Sequence, residues 1–189
     1  MRSIEPVGET DETDAEPPIA LVLDVVHEAG DWGPLARVTH LAQAAASALA
    51  AEFDQASTTA CLALSSDANV AALNTAYRGK RTPTNVLSFP AGAKAHKPDA
   101  QTRFLGDIVL AQETVAREAA ERSLPLDYHV QHLVVHGLLH LLGYDHETED
   151  EARAMEALES RVLDHLGIPD PYAPEVSVDV RELRKPASP

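Results

Sequence analysis

The sequence predicts a single domain built on a mixed β-sheet covered by helices. Two observations carry this: β-rich runs interleave with helical stretches along the chain, and no repeat or internal linker divides residues 18–170. At 189 residues the chain is long enough for one hydrophobic core and short for two. Apolar residues make up 44% and charged ones 24%, which places the chain among globular rather than disordered proteins.

The elements follow in order. Residues 1–17 are acidic and proline-tipped and read as a disordered leader; without an apolar core they are no secretory signal. Ile19–Val26 is nearly continuous in apolar residues, as a buried strand would be. Thr39 can cap an Ala-rich helix running to about Phe53. Thr58–Ser65 reads as a second strand, after which Ser66 or Asp67 caps a helix reaching about Tyr77. Asn85–Phe89 and Gly106–Ala111 are short strands separated by a charged loop with Gly92 and Pro98. A helix is expected over Gln112–Arg122, then the most apolar helix over Asp127–Leu142, stopped by Gly143. An amphipathic helix over about Glu147–Leu166 ends at Gly167, and residues 171–189 form a proline-rich tail.

Charge and cysteine content narrow the function classes. A single cysteine, Cys61, allows no internal disulfide, and the chain reads as cytoplasmic. No stretch approaches the ~20 apolar residues of a membrane helix. The net charge of −15 taken alone argues against nucleic acid, yet it is unevenly spread. Between 78 and 103, Arg78, Lys80, Arg81, Lys94, Lys97 and Arg103 face only Asp99. Such a strip can meet a phosphate backbone, because distant charge is screened within roughly 8 Å at physiological salt.

The segment HVQHLVVHGLLHLLGYDHE holds histidines at 129, 132, 136, 140 and 146. Residues four apart share a helix face, so His136 and His140 can aim both imidazoles at one ion. His132 and His140 stand two turns apart, about 12 Å along the axis, and cannot serve the same ion. The third ligand must come from outside the helix, and a left-handed stop at Gly143 can swing His146 back to the last turn. A lone histidine on an apolar helix is usually a packed core residue, and His129, His132 and His165 are read that way. Burying the others without partners would cost roughly 1–3 kcal/mol each, which a metal removes. Three neutral nitrogens suit one zinc ion, and the lack of an evident fourth ligand of equal quality leaves a position for water, as in catalytic sites. Cys61, Asp145 and Glu147 are not expected to fill it. Position 137 is Gly and not the Glu that a helical zinc peptidase uses as its base.

A second informative stretch is LNTAYRGKRTPTNVLSFP, residues 73–90, where a basic turn follows a helix end and Pro83 forces an extended exit. It places Arg78 on a constrained turn, where a guanidinium can take phosphate bidentately or simply pair with a surface acid. Together with LGDIVLA (105–111) and HGLLHLLGYDHETEDE (136–151), it closely resembles the YbeY family over about residues 19–168. The resemblance implies an α+β fold, with a mixed sheet of about four strands and the histidine helix packed across it. It also implies a zinc-dependent, single-strand-specific endoribonuclease acting on ribosomal RNA, in small-subunit 3′-end maturation and ribosome quality control. Small-subunit ribosomal proteins are further expected partners, and DNA is not. His136, His140 and His146 match the family's zinc ligands and Arg78 its functional arginine, while Asn85 stands where many members have Asp. Two alternatives remain at this level: a zinc hydrolase of another substrate, and a non-catalytic assembly factor whose zinc only holds the fold.

Overall fold

The computed structural model describes residues 21–53, 57–92 and 102–173. Along them run β1 (Leu21–His27), α1 (Leu35–Ala50), β2 (Thr58–Ser65), α2 (Asp67–Arg78), β3 (Val86–Pro90), β4 (Arg103–Ala111), α3 (Gln112–Glu121), α4 (Leu126–Leu141) and α5 (Glu149–His165). The four strands make one sheet in the order β1-β2-β4-β3. β1 and β2 pair in parallel, as do β2 and β4, while β3 runs antiparallel to β4. The fold is therefore α+β with a mixed sheet, as expected. No helix among the described residues is long and apolar enough to cross a membrane.

One face of the sheet carries the main core. Leu21 and Leu23 of β1, Leu62 and Leu64 of β2, and Ile108 and Leu110 of β4 pack against the buried stripes of α1, α4 and α5. On the other face α2 covers only the β3–β4 end, with Val70 and Leu73 over Ala63, Leu87, Val109 and Ala111. This corrects the reading of the first strand. β1 is a half-covered edge strand, its outward Val22 and Val26 being 50% and 42% exposed, because among the described residues no helix lies over that end of the far face. Residues 19–20, placed in that strand from sequence, lie outside the described residues, as do the whole leader and residues 174–189.

Two boundaries moved for identifiable reasons. α1 begins a turn earlier than Thr39, with Pro34 at its N-cap at φ −65° and no side-chain cap. Proline suits a helix start because its fixed φ is preorganised and its missing N–H would lack an intrahelical partner there anyway. β4 begins at Arg103, before Gly106, because Thr58 and Thr59 of β2 extend the ladder to Arg103 and Phe104. Gly106 then sits inside the strand at φ +139°, where a Cβ would come within 2.2 Å of the Phe89 carbonyl oxygen. Only glycine allows β3 and β4 to approach this closely.

α4 crosses the core face between α3 and α5, touching α1, β3 and β4. Its close seat on β4 explains Gly137. A Cβ there would lie 3.0 Å from Ile108 Cγ2 and 3.1 Å from Cδ1. The position faces the sheet, so a glutamate base after the first histidine has no room in this packing. α5 starts from a capping box in which Thr148 accepts from the Glu151 backbone and the Glu151 side chain reaches back.

Candidate metal centre

The site begins with the way α4 ends. Gly143 adopts φ +96°, the Tyr144 N–H donates to the Leu139 carbonyl at 3.0 Å, and the Gly143 N–H donates to the His140 carbonyl at 3.1 Å. These two bonds form a Schellman motif, which satisfies carbonyls at the helix end and reverses the chain. The reversal has two consequences. It brings the Tyr144 carbonyl oxygen to 3.0 Å from His140 Nδ1, and it returns His146 over the last helical turn. There the His146 ring centroid is 5.1 Å from that of His140 and 5.7 Å from that of His136. Asp145 shapes the turn by accepting the His146 N–H at 2.8 Å.

His136, His140 and His146 each offer one nitrogen, all within 4.8 Å of one another. Among the described residues no other His, Cys, Asp or Glu joins them. His132 does not; it faces Glu159 at 3.5 Å instead. Cys61 sits half-exposed on the far face of the sheet rather than packed in the core, and Asp145 and Glu147 are exposed.

The hydrogen bonds on the far side of each ring test whether a metal fits. A carbonyl can only accept, so His140 Nδ1 carries the proton toward Tyr144 and Nε2 presents its lone pair. His136 Nδ1 lies 2.7 Å from Glu159 Oε1, and Glu159 is completely buried. Burial by itself would raise the Glu159 carboxyl, but hydrogen bonds from His132, His136 and Tyr172 hold it down at about 2. It is therefore a carboxylate, an acceptor, and His136 likewise presents Nε2. The two Nε2 atoms stand 3.1 Å apart. Two lone pairs that close repel unless a cation lies between them. Donor atoms ~2.0–2.1 Å from a tetrahedral zinc would be about 3.4 Å apart, close to this spacing. Burial, and then the neighbouring His136 and His146, push His140 below the ordinary imidazole value, which keeps it neutral and available as a ligand.

His140 and His146 line a groove of about 470 Å³. His140 and the turn Gly143–Glu147 form one wall, and Arg78, Ser88 and Pro90 contribute the other. Arg78 is the last residue of α2, followed by Gly79 in the left-handed conformation. The basic turn beyond it is tied down: Asn74 donates to the Thr82 carbonyl at 2.7 Å and Thr75 to the Lys80 carbonyl at 3.2 Å. Asn85 does not line this groove. Its side-chain amide donates to Glu118 at 2.9 Å, and Glu118 also holds buried His129 at 2.9 Å.

Sequence reasoning missed two partners of the cluster, Glu159 and the Tyr144 carbonyl. Glu159 could have been flagged, since it falls on the helical stripe of Met155, Leu158, Val162 and Leu163, where an acid is out of place. The carbonyl carries no sequence signal.

Fold and cluster together define the class: an α+β domain with a solvent-open pocket of three imidazoles in which a metal ion fits. The family described as Endoribonuclease YbeY matches residues 33–167. The chain belongs to that family. Similar proteins include the Endoribonuclease YbeY of Rhodopseudomonas palustris, 47% identical over 152 residues, which cover 79% of this chain and 80% of the relative. That of Parvibaculum lavamentivorans is 48% identical over 161 residues, covering 80% and 85%. Among solved structures, the solution structure of TM1509 from Thermotoga maritima aligns over 82% of this chain and 99% of its own, at 22% identity and a TM-score of 0.46.

Proposed function

We propose that this protein is a zinc-dependent endoribonuclease of the cytoplasm that cleaves single-stranded RNA, with ribosomal RNA as substrate in small-subunit 3′-end maturation and ribosome quality control. The observation that carries the reading is that Arg78 lines one groove with His140 and His146, two histidines of the cluster remote from it in sequence. His136, His140 and His146 are the ligands of one zinc ion, and Arg78 is the residue that meets substrate phosphate. When bound there, zinc supplies Lewis acidity toward a phosphodiester oxygen and toward water.

The chain's own groups do the rest. Tyr144 and Glu159 hold the imidazoles of His140 and His136 with their Nε2 lone pairs inward. The Arg78 guanidinium grips a phosphate across the groove and offsets the negative charge that grows on its oxygens as the phosphodiester is attacked. Lys80 and Arg81 continue the positive surface away from the site, while the acidic remainder of the chain discourages non-specific adhesion. The open groove admits a strand whose bases are unpaired.

The test is cleavage of matched single- and double-stranded RNA by zinc-loaded protein, with Arg78→Ala alongside. Cleavage of the single strand that a chelator abolishes is expected. Arg78→Ala should retain zinc and fold while losing on the order of 10²–10³ in rate, as removal of one preorganised charge donor does. Inactive zinc-loaded wild type would overturn the reading, and full activity of Arg78→Ala would remove the arginine from it.

A further inference from the structure

Among the described residues one carboxylate is fully buried, and it lies behind the histidines rather than in the groove. Glu159 lies on α5, an element that contributes no ligand, and its side chain is 0% exposed. Removing a carboxylate from water costs several kcal/mol unless it is paired and hydrogen-bonded, so such a group persists in a core only with partners. Three groups converge on it: His136 Nδ1 at 2.7 Å, His132 Nε2 at 3.5 Å, and the Tyr172 hydroxyl. Tyr172 belongs to the segment after α5, assigned to a tail from sequence. That segment is pinned beside α5: Asp170 accepts from Ser160 Oγ at 2.8 Å and from the Tyr172 N–H at 2.9 Å.

We propose that Glu159 is a positioning residue for the metal centre, a carboxylate that holds His136 with the proton on Nδ1 and so tunes how tightly the site binds zinc. The inference rests on the reading of His136 as a ligand. Its chemistry is that of a ligand histidine whose outer nitrogen donates to a carboxylate, which fixes the tautomer and ring orientation and makes the metal-facing nitrogen more basic. The two helical ligands are then held by unlike means. His140 is oriented by a neutral backbone carbonyl supplied by the turn after its own helix. His136 is oriented by a full charge supplied from another helix, locked from behind by Tyr172. The second arrangement depends on α5 docking against α4, so the affinity of the site is tied to the packing of the C-terminal helix.

The test uses the full chain and zinc itself. Nitrogen-15 NMR of the metal-free wild type should show His136 and His140 both in the Nδ1–H tautomer. Glu159→Gln keeps the shape of the side chain and removes its charge. It should lower zinc affinity by about 10–100-fold in competition with a chromophoric chelator. It should also release the tautomer preference of His136 and leave that of His140, which Tyr144 sets, unchanged. That selectivity separates positioning from general loss of structure, which would move both histidines. Wild-type His136 found with its proton on Nε2 would overturn the proposal without any variant, even if Glu159→Gln failed to fold. Equal zinc affinity in folded Glu159→Gln would also overturn it. If instead the wild type bound no zinc at these histidines, the functional reading itself would fall, and the tautomers would still report on Glu159.

Discussion

Replacing Gly143 by alanine tests whether the helix-ending turn and the metal centre share one strain energy. Gly143 has φ +96°, and a Cβ placed there meets nothing within 4 Å. The substitution therefore introduces no clash; its whole effect is the cost of holding an L-residue in left-handed backbone, about 1–2 kcal/mol. That energy can appear in two places. If the turn holds in the metal-free protein, alanine lowers folding stability by the full amount and leaves zinc affinity alone. If the turn relaxes, stability hardly changes, but zinc must restore the turn that carries Tyr144 and His146. Affinity then falls by up to the same energy, roughly five- to thirty-fold at about 1.4 kcal/mol per factor of ten. Urea unfolding in the presence of chelator reads the first quantity and zinc competition the second, and the two losses should add to the strain. Asn at 143, more tolerant of this conformation, should recover part of both. Wild-type stability together with wild-type affinity in Gly143→Ala would refute the coupling of cap and site.

Other expectations follow from the same geometry. His140→Ala should lose zinc and RNA cleavage together, measured by metal analysis and a gel assay, since it supplies a ligand on the apolar helix. Gly137→Ala gains about 1 kcal/mol of helix propensity, yet overpacking against fully buried Ile108 costs typically about 1–3 kcal/mol. A net loss is expected, reduced when Ile108→Val is combined with it; a more stable Gly137→Ala would contradict the close helix–sheet seat. Metal-free protein should also weaken steadily on acidification, as followed by urea midpoints from pH 7 to 3. Burial lowers His129 and His140, so their stabilising contribution is whole above about pH 6.5 and is lost as pH falls through their depressed values. Glu159, held at about 2 against an ordinary 4.5, adds on the order of 3 kcal/mol that disappears as pH falls from 4.5 toward 2. A stability that is flat across this range would count against the buried network. Finally, Thr148→Ala should cost about 1 kcal/mol by removing the cap of α5, read in the same unfolding experiment.

The legible parts of this protein were those whose causes lie within a few residues. β2 runs over Thr58–Ser65 as its β-rich composition requires, and α2 starts after the Ser66 cap. The i, i+4 pair His136 and His140 and the glycine stop after them are properties of one helix and its next turn. For that reason three converging imidazoles could be read before any fold was known. Tertiary packing decided what local chemistry leaves open. The order β1-β2-β4-β3 puts β3 at the edge beside α4 and thereby sets Arg78 across the groove from the histidines. The same order leaves one face of β1 uncovered by any helix among the described residues, with Val22 and Val26 partly exposed, although its sequence looks fit for burial. Docking of α5 on α4 turns Glu159, an ordinary acid in a list of acids, into the buried partner of His136. Hydrogen-bond periodicity and capping act over one or two turns of chain, whereas these meetings depend on which elements share a face, and that is settled only by the packing of the whole core.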